Sequence, residues 1–209
     1  MKVFAEFFIE DGKEYRRTTL LQFGESIDLI GSAVLMNPGS AKAFGDPDEA
    51  FLSSFFSKTH NCEIDLSKWK AFSSDATMGR VEKIFNGWYI QNSSPIKLNG
   101  VIQLFNCFYY KDQEYSRALK NFDSNTNYRF NEYQYLKDKP VYLGWGGAGK
   151  NELKQIAFEI FSKIDKSINP IYDSDFNKNR FYHPSYINRA YKREKTQNLL
   201  IDFFQLLVP

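Results

Sequence analysis

The chain has 209 residues, which suits one domain with a single core. Its formal net charge of +2 excludes a protein that is basic throughout, so any nucleic-acid footprint must be local. Two cysteines, Cys62 and Cys107, are too few for a disulfide framework, and neither a signal peptide nor an apolar run of about 18 residues is present, so a reduced, cytoplasmic, monomeric protein without membrane attachment is expected.

Residues 1–23 predict an N-terminal β-hairpin, with Val3–Ile9 and Tyr15–Leu21 joined at the turn dipeptide Asp11-Gly12. Ile30–Met36 reads as a fully buried strand that ends in the polar loop Asn37-Pro38-Gly39. Asp46 then fits a helix N-cap, with Pro47 at the first helical position and Phe51, Leu52, Phe55 and Phe56 on one face. Residues 57–74 look polar and irregular, after which Met78, Val81, Ile84, Phe85 and Trp88 recur at helical spacing. Asn92-Ser-Ser-Pro95 breaks that helix. Val101–Cys107 is the second buried strand, with Cys107 expected in the core. A loop-rich insert over 111–139, containing Asp123-Ser-Asn-Thr-Asn127, resembles a lid or surface excursion. Val141–Gly144 is the third central strand, Asn151–Ile164 a helix, Asn169–Lys178 a short strand with a loop, and Asn188–Leu207 one amphipathic helix. Strands alternating with helices predict one α/β domain over residues 1–209, a three-layer α/β/α sandwich around a mostly parallel sheet.

The polar residues of interest fall at strand ends. Gly144–Lys150 fits the phosphate-loop pattern between a strand and a helix, but Asn151 stands where a Ser or Thr should hold magnesium. His60, Cys62, Cys107 and His183 lack the spacing of a zinc motif, so no metal and no organic cofactor is expected.

Four segments occur in a suggestive order: Met36-Asn-Pro-Gly-Ser-Ala41, Val101–Asn106, Leu143-Gly-Trp-Gly146 and His183-Pro-Ser185. Together they resemble the uracil-DNA glycosylase superfamily, particularly its mismatch-specific and thymine-glycosylase branch, over about residues 30–195. They are also similar in spacing to an uncharacterised bacterial domain family with Asn-Pro-Gly/Ser, Trp-Gly and His-Pro motifs. The resemblance implies a monofunctional glycosylase on a uracil-DNA glycosylase-like fold, which hydrolyses the N-glycosidic bond of a flipped-out modified or mismatched pyrimidine and leaves an abasic site. Asn37 would orient the attacking water and His183 would donate a hydrogen bond to the departing base. Phe44 would stack on the base, with Phe51 as its replacement, and Asn106 would read the base edge.

Uracil-specific members carry a tyrosine two residues after the catalytic position, which closes the pocket at pyrimidine C5. Gly39 stands there in this chain, which implies room for thymine, hydroxymethylcytosine or a glucosylated cytosine of phage DNA, and with it a role in phage defence. From Phe176 to Lys195 the chain has six basic residues, among them Arg189, Lys192 and Arg193, against the single acid Glu194, a local footprint around His183 suited to the phosphates of double-stranded DNA. Ser185 is expected to bind DNA, and Tyr186 and Ile187, just after His-Pro-Ser, occupy the place where the family inserts a wedge into the vacated base position. A catalytically silent DNA- or nucleotide-binding protein on the same fold, and a phosphate-loop enzyme, are the alternatives.

Overall fold

The computed structural model describes residues 1–39, 41–91, 94–122, 128–147, 151–190 and 192–208, with the backbone alone at 188–190. Its organising unit is the hairpin of β1 (Lys2–Glu10) and β2 (Lys13–Phe23). Asp11 and Gly12 take φ of 50° and 70°, the two left-handed residues that a twist-matched two-residue turn requires. The hairpin lies in the middle of the sheet and is not a peripheral addition. β2 pairs antiparallel with β6 (Gly100–Asn106), and β1 pairs antiparallel with β5 (Trp69–Phe72).

The remaining strands are β3 (Leu29–Leu35), β4 (Ala43–Gly45) and β7 (Val141–Leu143), and the order across the seven-stranded sheet is β4-β5-β1-β2-β6-β3-β7. Only β6-β3-β7 run parallel, so the expectation of a mostly parallel sheet is corrected to a mixed, mostly antiparallel one. The three buried runs read from the sequence are those three parallel strands. β4 and β5 lie in stretches expected to be loop, because three or four residues are too few to show an alternating pattern.

Helices cover both faces. On one, α2 (Ala76–Phe85), α5 (Pro184–Ala190) and α6 (Glu194–Gln205) bury Met78, Val81, Phe85, Ile187, Leu200 and Phe203 against Ala33, Leu35, Ile102 and Leu104. On the other, α1 (Glu49–His60) packs its Phe51, Leu52, Phe55 and Phe56 over Phe4, Leu20 and Val101. There too α4 (Asn151–Lys163) packs Leu153, Ile156 and Ile160 over Val34, Phe105 and Val141. Cys107 is fully buried, which pushes its thiol far above the ordinary range.

Several boundaries depart from the sequence reading. The C-terminal segment is two helices, α5 ending at Ala190 and α6 starting at Glu194. α2 ends at Phe85, and Trp88 beyond it is 57% exposed with the Lys83 ammonium 5.1 Å from its ring centroid. Asn92 and Ser93 of the expected break lie outside the described residues, as do Asp123–Asn127 of the insert, where a further short helix, α3 (Tyr115–Lys120), forms.

No strand forms over 169–178 among the described residues. Instead, the outer edge of β7 is closed by side chains: Val141 N donates to Asn169 Oδ1 at 2.7 Å, and Leu143 N donates to the Tyr172 hydroxyl at 2.7 Å. These bonds satisfy edge amides that an eighth strand would otherwise have taken.

The cap of α1 is Asp48, which accepts from Phe51 N at 3.0 Å, and not Asp46, whose side chain is exposed beside Lys70. Asp48→Ala is therefore expected to cost about 1 kcal/mol in denaturant unfolding. Asp46→Ala should change stability by less than about 0.5 kcal/mol. The reverse ranking would move the helix start back by two residues.

Candidate functional site

Because β3, β6 and β7 are parallel neighbours, their carboxyl ends open onto a common rim, the usual ligand position in sheets of this kind. A cavity of about 360 Å³ lies at that rim, within the range of about 300–1,000 Å³ typical of small-molecule sites. Asn37 and Gly39 after β3, Asn106 at the end of β6, Trp145 and Gly146 after β7, and His183 and Ser185 before and within α5 all line it. Four of the sequence segments thus meet at one cavity.

Each side chain is held in a defined orientation. Asn37 Nδ2 donates to Pro38 O at 3.0 Å and to Asp112 O at 3.3 Å. Two carbonyl acceptors settle which end of the amide is nitrogen, and Oδ1 has no partner among the described residues. Asp112 belongs to the 111–139 insert and is itself fixed by Arg117, whose Nη2 donates to Oδ1 at 2.8 Å. The start of the insert is therefore a wall of the cavity, with Gln113 and Tyr115 beside Asp112. Asn106 is 1% exposed, and its Nδ2 has no hydrogen-bond partner among the described residues.

His183 accepts from Ser185 N on its Nδ1 at 3.2 Å, so the neutral ring carries its proton on Nε2. Burial lowers its pKa to about 4, with Arg80 acting the same way and Asp75 opposing. At neutral pH it is an uncharged donor.

Two residues that sequence reasoning missed complete the site. Arg16 is 2% exposed, and its Nε and Nη1 have no hydrogen-bond partner among the described residues. Phe72 lies beneath the guanidinium at 5.7 Å. Burial lowers its pKa to about 10, with Asp75 pulling the other way. Arg16 reaches the cavity through a bulge: Ala5 faces Thr19 but Phe7 faces Arg16, so β2 holds one extra residue and Arg16 shares the face of Thr19. Simple alternation from Thr19 puts Arg17 there instead. Arg17 faces away, paired with Glu132 and Glu6.

Asp75, the second, is the N-cap of α2. Its Oδ1 accepts from Thr77 N and Met78 N, both at 2.9 Å. A Cβ at Gly39 would lie 2.8 Å from Asp75 Oδ2. The space that a glycine at 39 was expected to leave open is therefore occupied by a carboxylate oxygen.

Other expected residues lie elsewhere. Phe44 is on the edge strand β4, 73% exposed and away from the cavity, and Phe51 is in the core against Phe4 at 5.3 Å, so neither is placed to stack on a ligand here. Ile187 is fully buried in the core and cannot act as a wedge, whereas Tyr186 is 57% exposed at the cavity. Lys192 and Arg193 are exposed and do not line the cavity; the Arg189 side chain lies outside the described residues. Of the phosphate-loop motif, Ala148, Gly149 and Lys150 also lie outside them. Gly144 N and Gly146 N are already engaged by Val34 O at 2.8 Å and Phe181 O at 2.6 Å, which removes two amides a phosphate would need.

A larger cavity of about 750 Å³ is lined by Glu6, Arg17, Lys68, Tyr109 and Arg129. Its basic groups are all in ion pairs, Arg17 with Glu132, Arg129 with Glu159 and Lys68 with Asp65. The smaller cavity is the one with buried donors left unpaired. Among the described residues no group of three or more His, Cys, Asp or Glu is placed to hold a metal ion, and no helix is long and apolar enough to cross a membrane.

The chain has only two histidines, and burial lowers both His60 and His183 to about 4. Unfolded histidine takes its proton near 6.5, so between these values the unfolded state binds more protons. Stability is full above about pH 6.5 and falls as pH drops toward 4. Proton NMR of the two rings should show no titration near 6.5, and replacing both by Gln should flatten the loss of stability across that window. Normal titration of His183 would mean a hydrated ring and an open site.

No protein-family model matches the chain, and neither a curated protein nor a solved structure matches it, so the functional reading rests on this cavity and the motifs that line it.

Proposed function

We propose that the protein is a monofunctional DNA glycosylase of the uracil-DNA glycosylase-like kind, acting on a flipped-out, C5-modified pyrimidine in DNA. The observation that carries this reading is the meeting of Asn37, Asn106 and His183 in one cavity at the carboxyl ends of parallel strands. Hydrolysis breaks the bond between sugar C1′ and base N1, and the electron pair leaves with the base. Water oxygen bonds to C1′, and its proton passes to solvent. The site must therefore hold a water on the sugar side and stabilise negative charge on the base side.

Asn37 Oδ1, fixed by the two bonds from its Nδ2, accepts from that water. It is an orienting group and not a strong base, which suits a slow enzyme. His183 Nε2–H donates to the departing base as a neutral imidazole. Asn106 Nδ2 is a buried donor waiting for an acceptor on the base edge. The tyrosine ring of residue 186, exposed at the cavity mouth, is the remaining wedge to occupy the gap that a flipped base leaves. Exposed Lys192 and Arg193, at the start of α6, supply phosphate contacts.

Asp75 Oδ2 beside Gly39 narrows the substrate. An acceptor at that point favours a C5 hydroxymethyl group, whose hydroxyl can donate to it, over a bare methyl. Such bases are those of hypermodified phage DNA, and phage defence is the role that fits them.

Oligonucleotides and phage DNAs with different pyrimidines, scored for alkali-sensitive breaks, test the reading. Asn37→Ala and His183→Ala should each lower base release by about 10²- to 10³-fold. Full activity in both variants, or no release from any substrate by the native protein, rejects it. Asp75→Asn keeps an N-cap acceptor for α2 but removes the carboxylate. It should therefore melt like the native protein while losing its preference for hydroxymethyl over methyl substrates by about tenfold, roughly the value of one hydrogen bond.

A further inference from the structure

The charge of Arg16 is the feature of this cavity that the motifs do not account for. A guanidinium that is 2% exposed ordinarily sits against a carboxylate, yet among the described residues no acidic group comes within ion-pair distance of it, and Nε and Nη1 have no acceptor. Asp75 also lines the cavity, but its Oδ1 caps α2 and its Oδ2 stands by Gly39. Burying an unpaired charge is costly, and replacement by an apolar side chain of similar volume is often neutral or stabilising. A residue held under those terms points to a partner that arrives from outside the fold.

Three buried or part-buried donors converge here: the Arg16 guanidinium, Asn106 Nδ2 and the ring Nε2–H of His183. Their common complement is an acceptor-rich group that carries or develops negative charge. Resting on the glycosylase reading, we propose that Arg16 is a catalytic residue that neutralises the departing pyrimidine anion. When the C1′–N1 bond breaks, the electron pair passes to N1 and spreads to the ring oxygens. Arg16 then donates to one of those oxygens, and the released base takes a proton from water afterwards. The bulge in β2 is what aims Arg16 at this place, and the low-dielectric surroundings, with Leu104 lining the cavity and Phe72 beneath the guanidinium, make the attraction stronger than it is in water.

The test compares base release across a series of C5-substituted pyrimidines, from electron-donating methyl to electron-withdrawing fluoro and formyl, in the native protein and in Arg16→Met and Arg16→Lys. Arg16→Met should melt at or above the native temperature and release poorly acidic bases about 10²-fold more slowly. Its loss should shrink as the leaving base becomes more acidic, giving a steeper dependence of rate on leaving-group acidity. Arg16→Lys, which keeps the charge, should retain most of the native slope. The proposal is overturned by an equal loss across the whole series in Arg16→Met or, where that variant unfolds, by a native slope in the uncharged Arg16→Gln, either of which would make Arg16 a structural residue. Release by the native protein with an unchanged slope in Arg16→Met rejects Arg16 alone. Absence of release by the native protein from every substrate rejects the glycosylase reading and this proposal with it.

Discussion

The antiparallel pairing of β2 with β6, with Thr19 opposite Leu104 and Phe23 opposite Gly100, governs the placement of everything else. It gives β6 a neighbour on each side, which is why all seven of its residues are buried. Because β2 runs opposite to β6, the start of β2 lies at the carboxyl end of β6, and Arg16 N reaches Tyr109 O just past that end at 2.9 Å. The hairpin therefore joins the rim formed by β3, β6 and β7, and a basic residue from the first strand pair stands among loops drawn from the rest of the chain.

What the sequence made legible follows from burial. Ile30–Met36, Val101–Cys107 and Val141–Gly144 are continuous apolar runs because both faces of the parallel strands are covered, and the polar residues that end them are conspicuous. Asn37 and Asn106 were legible for that reason, and His183 through the His183-Pro-Ser185 motif. The central position of the hairpin was not, since long-range pairing leaves no local signature. Arg16 was hidden by the bulge: alternation along β2 assigns it to the opposite face, and the extra residue that corrects this is visible only against β1. Asp75 is the N-cap of α2, a role that engages one oxygen, and only its second oxygen belongs to the cavity. Phe44 and Ile187 failed for the complementary reason, since a motif position says which residues are near in sequence and not which way each side chain faces.

The cavity combines a permanent positive charge, a histidine kept neutral and a carboxylate that is partly committed to a helix end. Burial keeps the His183 ring from taking a proton, and Arg80 acts in the same direction. The insert contributes rigidity here: Asp112, anchored by Arg117, fixes Asn37 through its backbone carbonyl. Preorganisation of this kind lowers stability where the groups are unpaired and favours whatever ligand pairs them.

At the far end of the sheet, Asn169 and Tyr172 occupy the hydrogen-bonding groups of β7, with the Tyr172 hydroxyl also donating to Val141 O at 3.3 Å. An exposed parallel edge is a template for a strand from another molecule, and these two side chains make that template unreadable. The opposite edge is β4, three exposed residues long and too short to recruit a partner. The sheet is thus finished on both sides without a barrel closure or a covering helix, and the chain remains protected from edge-to-edge aggregation while its carboxyl rim stays open.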